Sequence, residues 1–230
     1  MDGASGVPQG PPIVAGMIPL AESLGQDERS LRAGRHRAHA AALSDRSVSY
    51  GVGVRGAPAY LARARELGIP ALRRTTGGTG LVHLAGDLVW SIVLPRSDPR
   101  VGRDFVRAYA RLGEPLVRFF VGLGLDARWS DPPGLVDDYC PLSARGSVLV
   151  SSGRVIGAAA QHLSRDSLLH QGTVFVSVDR PLIARLFGIA DGTITARLSG
   201  LRELGLERRA PASLASDLQR LLASALERPG

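Results

Sequence analysis

The stretch RRTTGGTGLVHLAGDLVWS, residues 73–91, joins an arginine pair, a loop of glycine and threonine, and an apolar run typical of a strand. Its glycines permit positive φ and a close approach of the backbone to a ligand. Successive backbone N–H groups in such a loop can form a nest for an anion, and Arg73 and Arg74 add bidentate donors. The same residues also suit a hairpin with an exposed arginine pair, so local chemistry leaves both hypotheses open.

Two familiar phosphate-binding motifs do not match this loop. It lacks the Gly-Lys-Ser/Thr ending of a P-loop. Its glycines have the wrong spacing for a dinucleotide fingerprint, and a strand follows where that motif requires a helix.

Composition indicates a globular protein with one large domain. The 230 residues are 44% hydrophobic. The sequence contains no uninterrupted apolar run of about 18 residues, so it predicts no membrane span. The N-terminus has no basic residue before its apolar part, which excludes a signal peptide and predicts a cytoplasmic protein. A single cysteine, Cys140, excludes an internal disulfide and a multi-cysteine zinc site, and we expect no metal centre.

The charge pattern is compatible with a solvated surface or with an acidic protein partner. The net charge is +7, and all 28 basic residues are arginine because the chain contains no lysine. It contains no asparagine either, which indicates a GC-rich genome. The arginines are dispersed, so a solvated surface is the simplest interpretation and steering of an acidic protein is the next. Aromatic residues make up only 5%, which disfavours a nucleic-acid platform.

The order of patterns predicts an α+β fold with a mixed, mainly antiparallel sheet packed with helices. Apolar spacing predicts helices over 21–43 and 101–123, and short alternating runs between and after them predict strands. We divide the chain into an irregular segment (1–18), a catalytic domain (19–200) and a segment with an amphipathic helix that packs on the domain (201–230).

Two blocks together resemble the biotin/lipoate protein ligase family, in its lipoate–protein ligase and octanoyltransferase branch. The first is the opening loop, whose Arg-Arg, Thr-Thr, Gly-Gly, His83, Gly86 and Asp87 follow the family order. The second is RVIGAAAQHLSRDSLLHQGTVFVSVD, residues 154–179. The resemblance covers roughly residues 21–189 and implies a catalytic domain like that of biotin ligases, which agrees with the predicted fold.

The resemblance implies that both blocks line a tunnel for an octanoyl or lipoyl chain. Small residues would leave room for the chain, and apolar walls would bury it. The alternative for each small residue is close strand packing, and a lone histidine is more often structural. The implied binding residues are Arg73, Arg74, Thr75, Thr76, Gly77, Gly78, Thr79, His83, Gly157, Ala158, His170, Gln171, Gly172 and Thr173.

Two departures bear on catalysis. Arg154 stands where the family has its catalytic lysine, and arginine does not reproduce the geometry of a lysine at a tight site. Gly146 and Ser147 stand where the ATP-dependent ligases have an Asn-Asp pair near ATP and magnesium, which counts against ATP use.

Cys140 lies close to the position of the nucleophile in a cysteine-dependent octanoyltransferase branch of the family. A thiolate can accept an acyl group from a carrier thioester without ATP, provided that a base or a positive charge stabilises it. Candidates for that role are Arg145, Arg154, His83 and His170. The alternative is a half-buried small hydrophobe, the commoner role of a lone cysteine.

The leading hypothesis is therefore an enzyme that attaches an octanoyl or lipoyl group to a lysine of an acidic lipoyl-carrier domain. The acyl group would come from an acyl carrier protein through Cys140, with Arg73 and Arg154 stabilising negative charge and no cofactor required. One alternative is an ATP- and magnesium-dependent lipoate ligase in which Arg154 replaces the lysine, with an accessory subunit. Another is a non-catalytic protein that binds acyl groups or carriers. No nucleic acid or membrane partner is expected.

Overall fold

The structure, a computed structural model, describes residues 16–102, 105–143 and 147–227. The strands are β1 Met17–Ile18, β2 Arg37–Leu43, β3 Ser47–Tyr50, β4 Ala71–Arg73, β5 Gly80–His83, β6 Leu88–Pro95, β7 Arg128–Ser130, β8 Ser147–Ser151, β9 Arg154–Leu163 and β10 Ser167–Val174. The helices are α1 Leu20–Ala33, α2 Ala59–Glu66, α3 Phe105–Gly122, α4 Arg180–Phe187, α5 Asp191–Arg197 and α6 Pro211–Glu227, with 3₁₀ turns at Cys140–Leu142 and Leu201–Leu204.

The strands form two sheets. The large sheet has the order β1-β2-β6-β10-β9-β8-β7, and its only parallel pair among the described strands is β1 with β2. The small sheet has the order β4-β3-β5, with β3 parallel to β4 and antiparallel to β5. The predicted α+β class with a mixed, mainly antiparallel sheet is confirmed.

Alternation along the strands divides the large sheet into two buried faces. One face carries Trp90, Ile156 and Leu168 and packs against apolar residues of α3 and α6 such as Leu116 and Leu218. The other face packs against α1, the small sheet, the Cys140 turn and helices α4 and α5. The candidate site lies on this second face.

The predicted helix over 21–43 is wrong in its second half. Helix α1 ends at Ala33, because Gly34 adopts left-handed φ of +61° and its N–H caps the carbonyls of Ser30 and Leu31. The alanine-rich segment that follows forms β2 and pairs with β6. Alanine has no local preference for a strand, so the pairing partner decides this segment.

The chain ends differ in part from expectation. Residues 1–15 lie outside the described part of the chain, and Met17–Ile18 form β1 instead of irregular chain. Helix α6 occupies the segment where an amphipathic helix was predicted, and its Gln219 bonds the backbone of Ala40 and Ala38 on β2. Residues 228–230 are outside the described chain.

Among the described residues, no helix is both long and apolar enough to cross a bilayer.

Candidate active site

A narrow, partly open cavity lies between the second face of the large sheet, helix α1, the small sheet and the Cys140 turn; its volume of about 440 Å³ includes the space at its mouth. Residues from α1, the Gly loop after β4, and strands β5, β6, β9 and β10 therefore line one space. Its lining comprises Leu20, Ser23, Leu24, Asp27, Ser49, Arg74, Thr76, Leu81, His83, Val89, Trp90, Cys140, Ala158, Ala159, Ala160, Gln171, Gly172 and Thr173.

Arg74 and Cys140 meet at the Gly-loop end of this cavity. Arg74 is only 5% exposed, and its guanidinium lies beside the Cys140 side chain. It also donates to the carbonyl oxygens of Gly77 at 2.8 Å and Thr79 at 2.9 Å. Burial lowers the pKa of Arg74, and Cys140 opposes that shift. Within the described residues no carboxylate pairs with Arg74, so this cation faces a thiol without a counter-ion.

Gly78 makes this contact possible. It has φ of +89°, and a Cβ built on it would lie 2.7 Å from Arg74 Nη2 and 3.1 Å from Cys140 Sγ. The arginine and the sulfur thus fill the space that any side chain at position 78 would need. The Gly-Gly of the loop therefore has different roles at its two positions, since a Cβ on Gly77 would meet nothing within 4 Å.

His83 belongs to a buried chain of hydrogen bonds that ends on Arg74. Its Nε2 lies 2.8 Å from Ser49 Oγ, its Nδ1 lies 3.4 Å from Thr173 Oγ1, and Ser49 Oγ accepts from Arg74 at 3.0 Å. Burial, and secondarily the charge of Arg74, lower the pKa of His83 to about 3. The imidazole is therefore neutral at physiological pH and orients Ser49 and Arg74 through hydrogen bonds.

Two cavity-lining residues hold buried polar atoms without a partner among the described residues. These atoms are Thr76 Oγ1 and Gln171 Oε1. Because a buried polar group without a hydrogen bond costs free energy, each is suited to bonding a polar atom of a bound molecule.

The structure brings together many of the residues named from the sequence. Arg74, Thr76, His83 and Cys140 line the cavity from one side, and Ala158, Gln171, Gly172 and Thr173 line it from the sheet. The glycines of the sheet are also packing residues, because a Cβ on Gly157 would lie 2.5 Å from the Thr173 carbonyl oxygen and one on Gly172 would lie 2.6 Å from that of Ala158.

Other predicted residues lie outside the lining. Arg73 is exposed and donates to the Val52 carbonyl oxygen at 2.8 Å. Thr75, Gly77, Gly78, Thr79 and Gly157 shape the loop or strand without lining the cavity. His170 projects to the opposite face, where its ring packs 4.8 Å from Trp90 and burial lowers its pKa to about 3.

Arg154 also lies away from the cavity lining. It begins β9, and its side chain is 30% exposed and pairs with Glu203 at 3.4 Å. Glu203 also accepts from Arg180 at 2.7 Å, so both arginines are held at a surface ion pair. The described structure does not bring Arg154 to Cys140.

The residues present do not fit a magnesium nucleotide bound through the family's Asn-Asp pair. Gly146 lies outside the described residues, as does Arg145, and Ser147 offers a hydroxyl where a carboxylate would hold the metal. Among the described residues, no cluster of three or more His, Cys, Asp or Glu side chains has the arrangement of a metal site.

Sequence reasoning missed three polar residues of the cavity and the partner of the thiol. Ser23, Asp27 and Ser49 lie on segments read only for their apolar pattern, although buried polar residues at regular spacing on α1 were a signal. Arg74, which was not among the candidates named from the sequence, is the cation beside Cys140, and Arg145 lies outside the described residues.

Comparisons with known proteins show the family of this chain. Residues 27–205 match the family model described as the lipoyl protein ligase A/B catalytic domain. An octanoyltransferase LipM of Geobacillus kaustophilus is 27% identical over 147 residues, which cover 60% of this chain and 52% of the relative. The chain thus spans about half the length of the curated relatives it matches.

Solved structures share the fold. A lipoate-protein ligase A bound with ATP superposes with a TM-score of 0.72 at 22% identity, covering 93% of this chain and 86% of that one. A structure described as a bi-partite lipoate protein ligase and its E2 lipoyl domain from Thermoplasma acidophilum gives a TM-score of 0.60 at 21% identity. The match covers 89% of this chain and 85% of that one.

Proposed function

Because the chain belongs to the family of lipoyl protein ligase A/B catalytic domains, we propose that it attaches an octanoyl or lipoyl group to a lysine of a lipoyl-carrier domain. We propose further that the acyl group passes through Cys140. The similarity to LipM octanoyltransferases supports octanoyl as the acyl group, and each of these alignments covers only part of the chain.

The observation that carries this proposal is the buried contact between Arg74 and Cys140 at the end of a narrow, partly open cavity. A guanidinium without a carboxylate partner stabilises a neighbouring thiolate, and the thiolate is the nucleophilic form of cysteine. The remaining walls, built from Leu81, Val89 and the alanines of β9, suit an aliphatic chain.

In the first step the Cys140 thiolate attacks the carbonyl carbon of a carrier thioester. The carbon–sulfur bond to the carrier breaks, the carrier leaves as a thiolate, and Cys140 holds the acyl group as a new thioester. Negative charge develops on the carbonyl oxygen during the attack. Arg74 and the unpartnered Thr76 hydroxyl are the donors at this end of the cavity, and preorganised donors of this kind stabilise such charge.

In the second step a neutral lysine amine of the carrier domain attacks the Cys140 thioester. An amide forms, the bond to Cys140 breaks, and the leaving sulfur takes the surplus proton of the amine. His83 contributes position and not proton transfer, because a pKa of about 3 makes its neutral ring a poor proton acceptor. This assignment gives Arg74 the role that the sequence suggested for Arg73 and Arg154.

The carrier domain would dock where the Gly loop reaches the surface. Arg73 and Arg55 are exposed there, and the segment from Gly51 to Pro58 is joined to the loop by a bond from the Val52 N–H to the Thr76 carbonyl oxygen. An acidic carrier surface would be attracted to these arginines.

The test is intact-mass analysis of the protein incubated with octanoyl-acyl carrier protein, followed by addition of a lipoyl domain. We expect one octanoyl group on the protein, removed by hydroxylamine as a thioester is, and then one octanoyl group on the lipoyl domain. Cys140→Ser should abolish both products, whereas Ser143→Ala, three residues along the same turn, serves as the matched control.

Three outcomes would contradict the proposal. Unchanged transfer by Cys140→Ser would exclude the thioester route. Acylation that requires lipoate, ATP and magnesium would instead support a ligase, and binding of octanoyl compounds with no acylation under either condition would support a non-catalytic binding protein.

A further inference from the structure

A buried polar patch lies on the α1 side of the cavity: Ser23, Asp27 and Gln171 line the cavity, and Ser91 lies behind them, bonded to Asp27. All four residues are less than 9% exposed. Ser91 and Gln171 are register partners on β6 and β10, so their side chains share one face of the sheet. Ser91 donates to Asp27 Oδ1 at 2.5 Å. The chemistry proposed above uses none of these residues except as cavity wall.

This patch lies one step along the strands from the His83 end of the cavity. Thr173, which contacts His83, is two residues from Gln171 on β10 and pairs with Val89 on β6. Two residues of a strand span about 7 Å. A medium acyl chain whose carbonyl lies at Cys140 and Arg74 would therefore run past Thr173 toward Asp27.

The Asp27 carboxyl has no counter-ion among the described residues. Arg37 on β2 is the nearest cation to act on it, but its guanidinium donates to Gln26 Oε1 at 2.6 Å and to Ser30 Oγ at 2.9 Å. His39, also on β2 and opposite Ser91, has its pKa lowered by burial and then by Arg37, so it is neutral.

The other titratable groups around the cavity do not compensate Asp27 either. Glu22, on the same helix, is exposed and carries negative charge. At the far end Arg74 is engaged by Ser49 and Cys140, and His83 is neutral. On the face of β6 and β10 that α1 covers, Ser91 and Gln171 contribute no charge. Burial accordingly raises the pKa of Asp27 to about 7, against the opposing effects of Ser91 and Arg37.

We propose that Asp27 must be protonated for the acyl chain to occupy the cavity, so that the protein takes up one proton as it takes up the chain. An aliphatic chain removes water from the carboxyl, and removing water from a charged carboxylate without a counter-ion costs much free energy. Asp27 is thus a specificity residue of the proposed acyl site. The inference rests on the proposed function, because it assumes that an acyl chain is the occupant.

The test is the affinity for octanamide, a neutral probe with no ionisation of its own, measured by calorimetry between pH 6 and 8.5. All proteins carry Cys140→Ser, so that the thiol does not titrate. We expect affinity to fall as pH rises through about 7, by about 30-fold over this range if the charged form does not bind. Measurement at pH 8 in buffers of different ionisation enthalpy should show uptake of nearly one proton.

Two variants make the test specific. Asp27→Asn, nearly isosteric and always neutral, should bind equally at every pH and take up no proton. Ser91→Ala removes a hydrogen bond that favours the charged carboxylate, so its loss of affinity should move to higher pH. If Asp27 had only a structural role, Ser91→Ala would not move the pH at which half of the affinity for octanamide is lost.

Affinity independent of pH in the parent, or an unchanged pH dependence in Asp27→Asn, would overturn the inference and leave the proposed function intact. Failure of every variant to bind octanamide at any pH would overturn both, because the cavity would then not be an acyl site.

Discussion

Gly78→Ala should damage both the fold and the candidate active site, whereas Gly77→Ala should be tolerated. Alanine at position 78 must adopt φ of +89°, and its Cβ would lie 2.7 Å from Arg74 Nη2 and 3.1 Å from Cys140 Sγ. The left-handed backbone costs about 1–2 kcal/mol, and a forced shift in a packed interior typically costs about 1–3 kcal/mol. We therefore expect Gly78→Ala to lower the free energy of unfolding by about 2–5 kcal/mol.

Position 77 provides the matched control within the same loop. Gly77 is not among the glycines with positive φ, and an added Cβ would meet nothing within 4 Å. Alanine there should change the free energy of unfolding by less than about 1 kcal/mol. Urea denaturation measures both values, and the rate at which iodoacetamide alkylates Cys140 in native protein reports whether Arg74 has been displaced. Equal stabilities and equal alkylation rates for the two variants would refute the assignment of Gly78 as the residue that seats Arg74 on the thiol.

Three further predictions follow from the cavity. Arg74→Gln should slow formation of the Cys140 thioester by about 100-fold, as loss of one preorganised donor does. Arg73→Gln and Arg154→Gln should each slow it at least tenfold less than Arg74→Gln does. The measurement is single-turnover acylation by octanoyl-acyl carrier protein, and a larger defect in Arg154→Gln would give that residue the catalytic role that its position in the second block implies. Asp27→Asn should raise the free energy of unfolding by about 1–3 kcal/mol at pH 8 and change it little at pH 4. The reason is that the pKa of Asp27 in the folded protein, about 7, exceeds the ordinary 3.8, so the cost of burying the carboxylate is absent at low pH, grows from pH 4 to 7 and is complete above pH 7. Denaturation at the two pH values measures the difference in free energy of unfolding between Asp27→Asn and the parent, and a difference independent of pH would contradict the prediction. Ala160 lies on the cavity wall beside Gln171, so Ala160→Leu should shift the preferred substrate from octanoyl to a shorter acyl group. The measurement is competition between acyl carrier proteins that carry acyl groups of different length. An unchanged preference would show that Ala160 is not part of the tunnel.

The sequence alone was sufficient for the fold class, the main helices and strands, and one side of the site. Glycine spacing, the arginine pair and the position of His83 identify the Gly loop, because conformational freedom and anion-binding chemistry are properties of a residue and its neighbours. The long apolar period of α3 and the strand patterns of β8, β9 and β10 are likewise local. Where the local signal was weak, as in the alanine-rich β2, the period predicted a helix and the sheet partner produced a strand.

Only the tertiary structure decided which charged and polar groups meet. The adjacent residues Arg73 and Arg74 project to solvent and to the interior respectively, whereas His170 and Gln171, both buried, point to opposite faces of β10. The sequence cannot distinguish such neighbours, because the face that a strand residue occupies depends on what packs on each side of the sheet. The contact of Arg74 with Cys140 joins residues 66 positions apart, and the bond of Ser91 to Asp27 joins residues 64 apart. These contacts exist because the folded chain brings distant segments to one cavity, and no pattern along the chain records that arrangement.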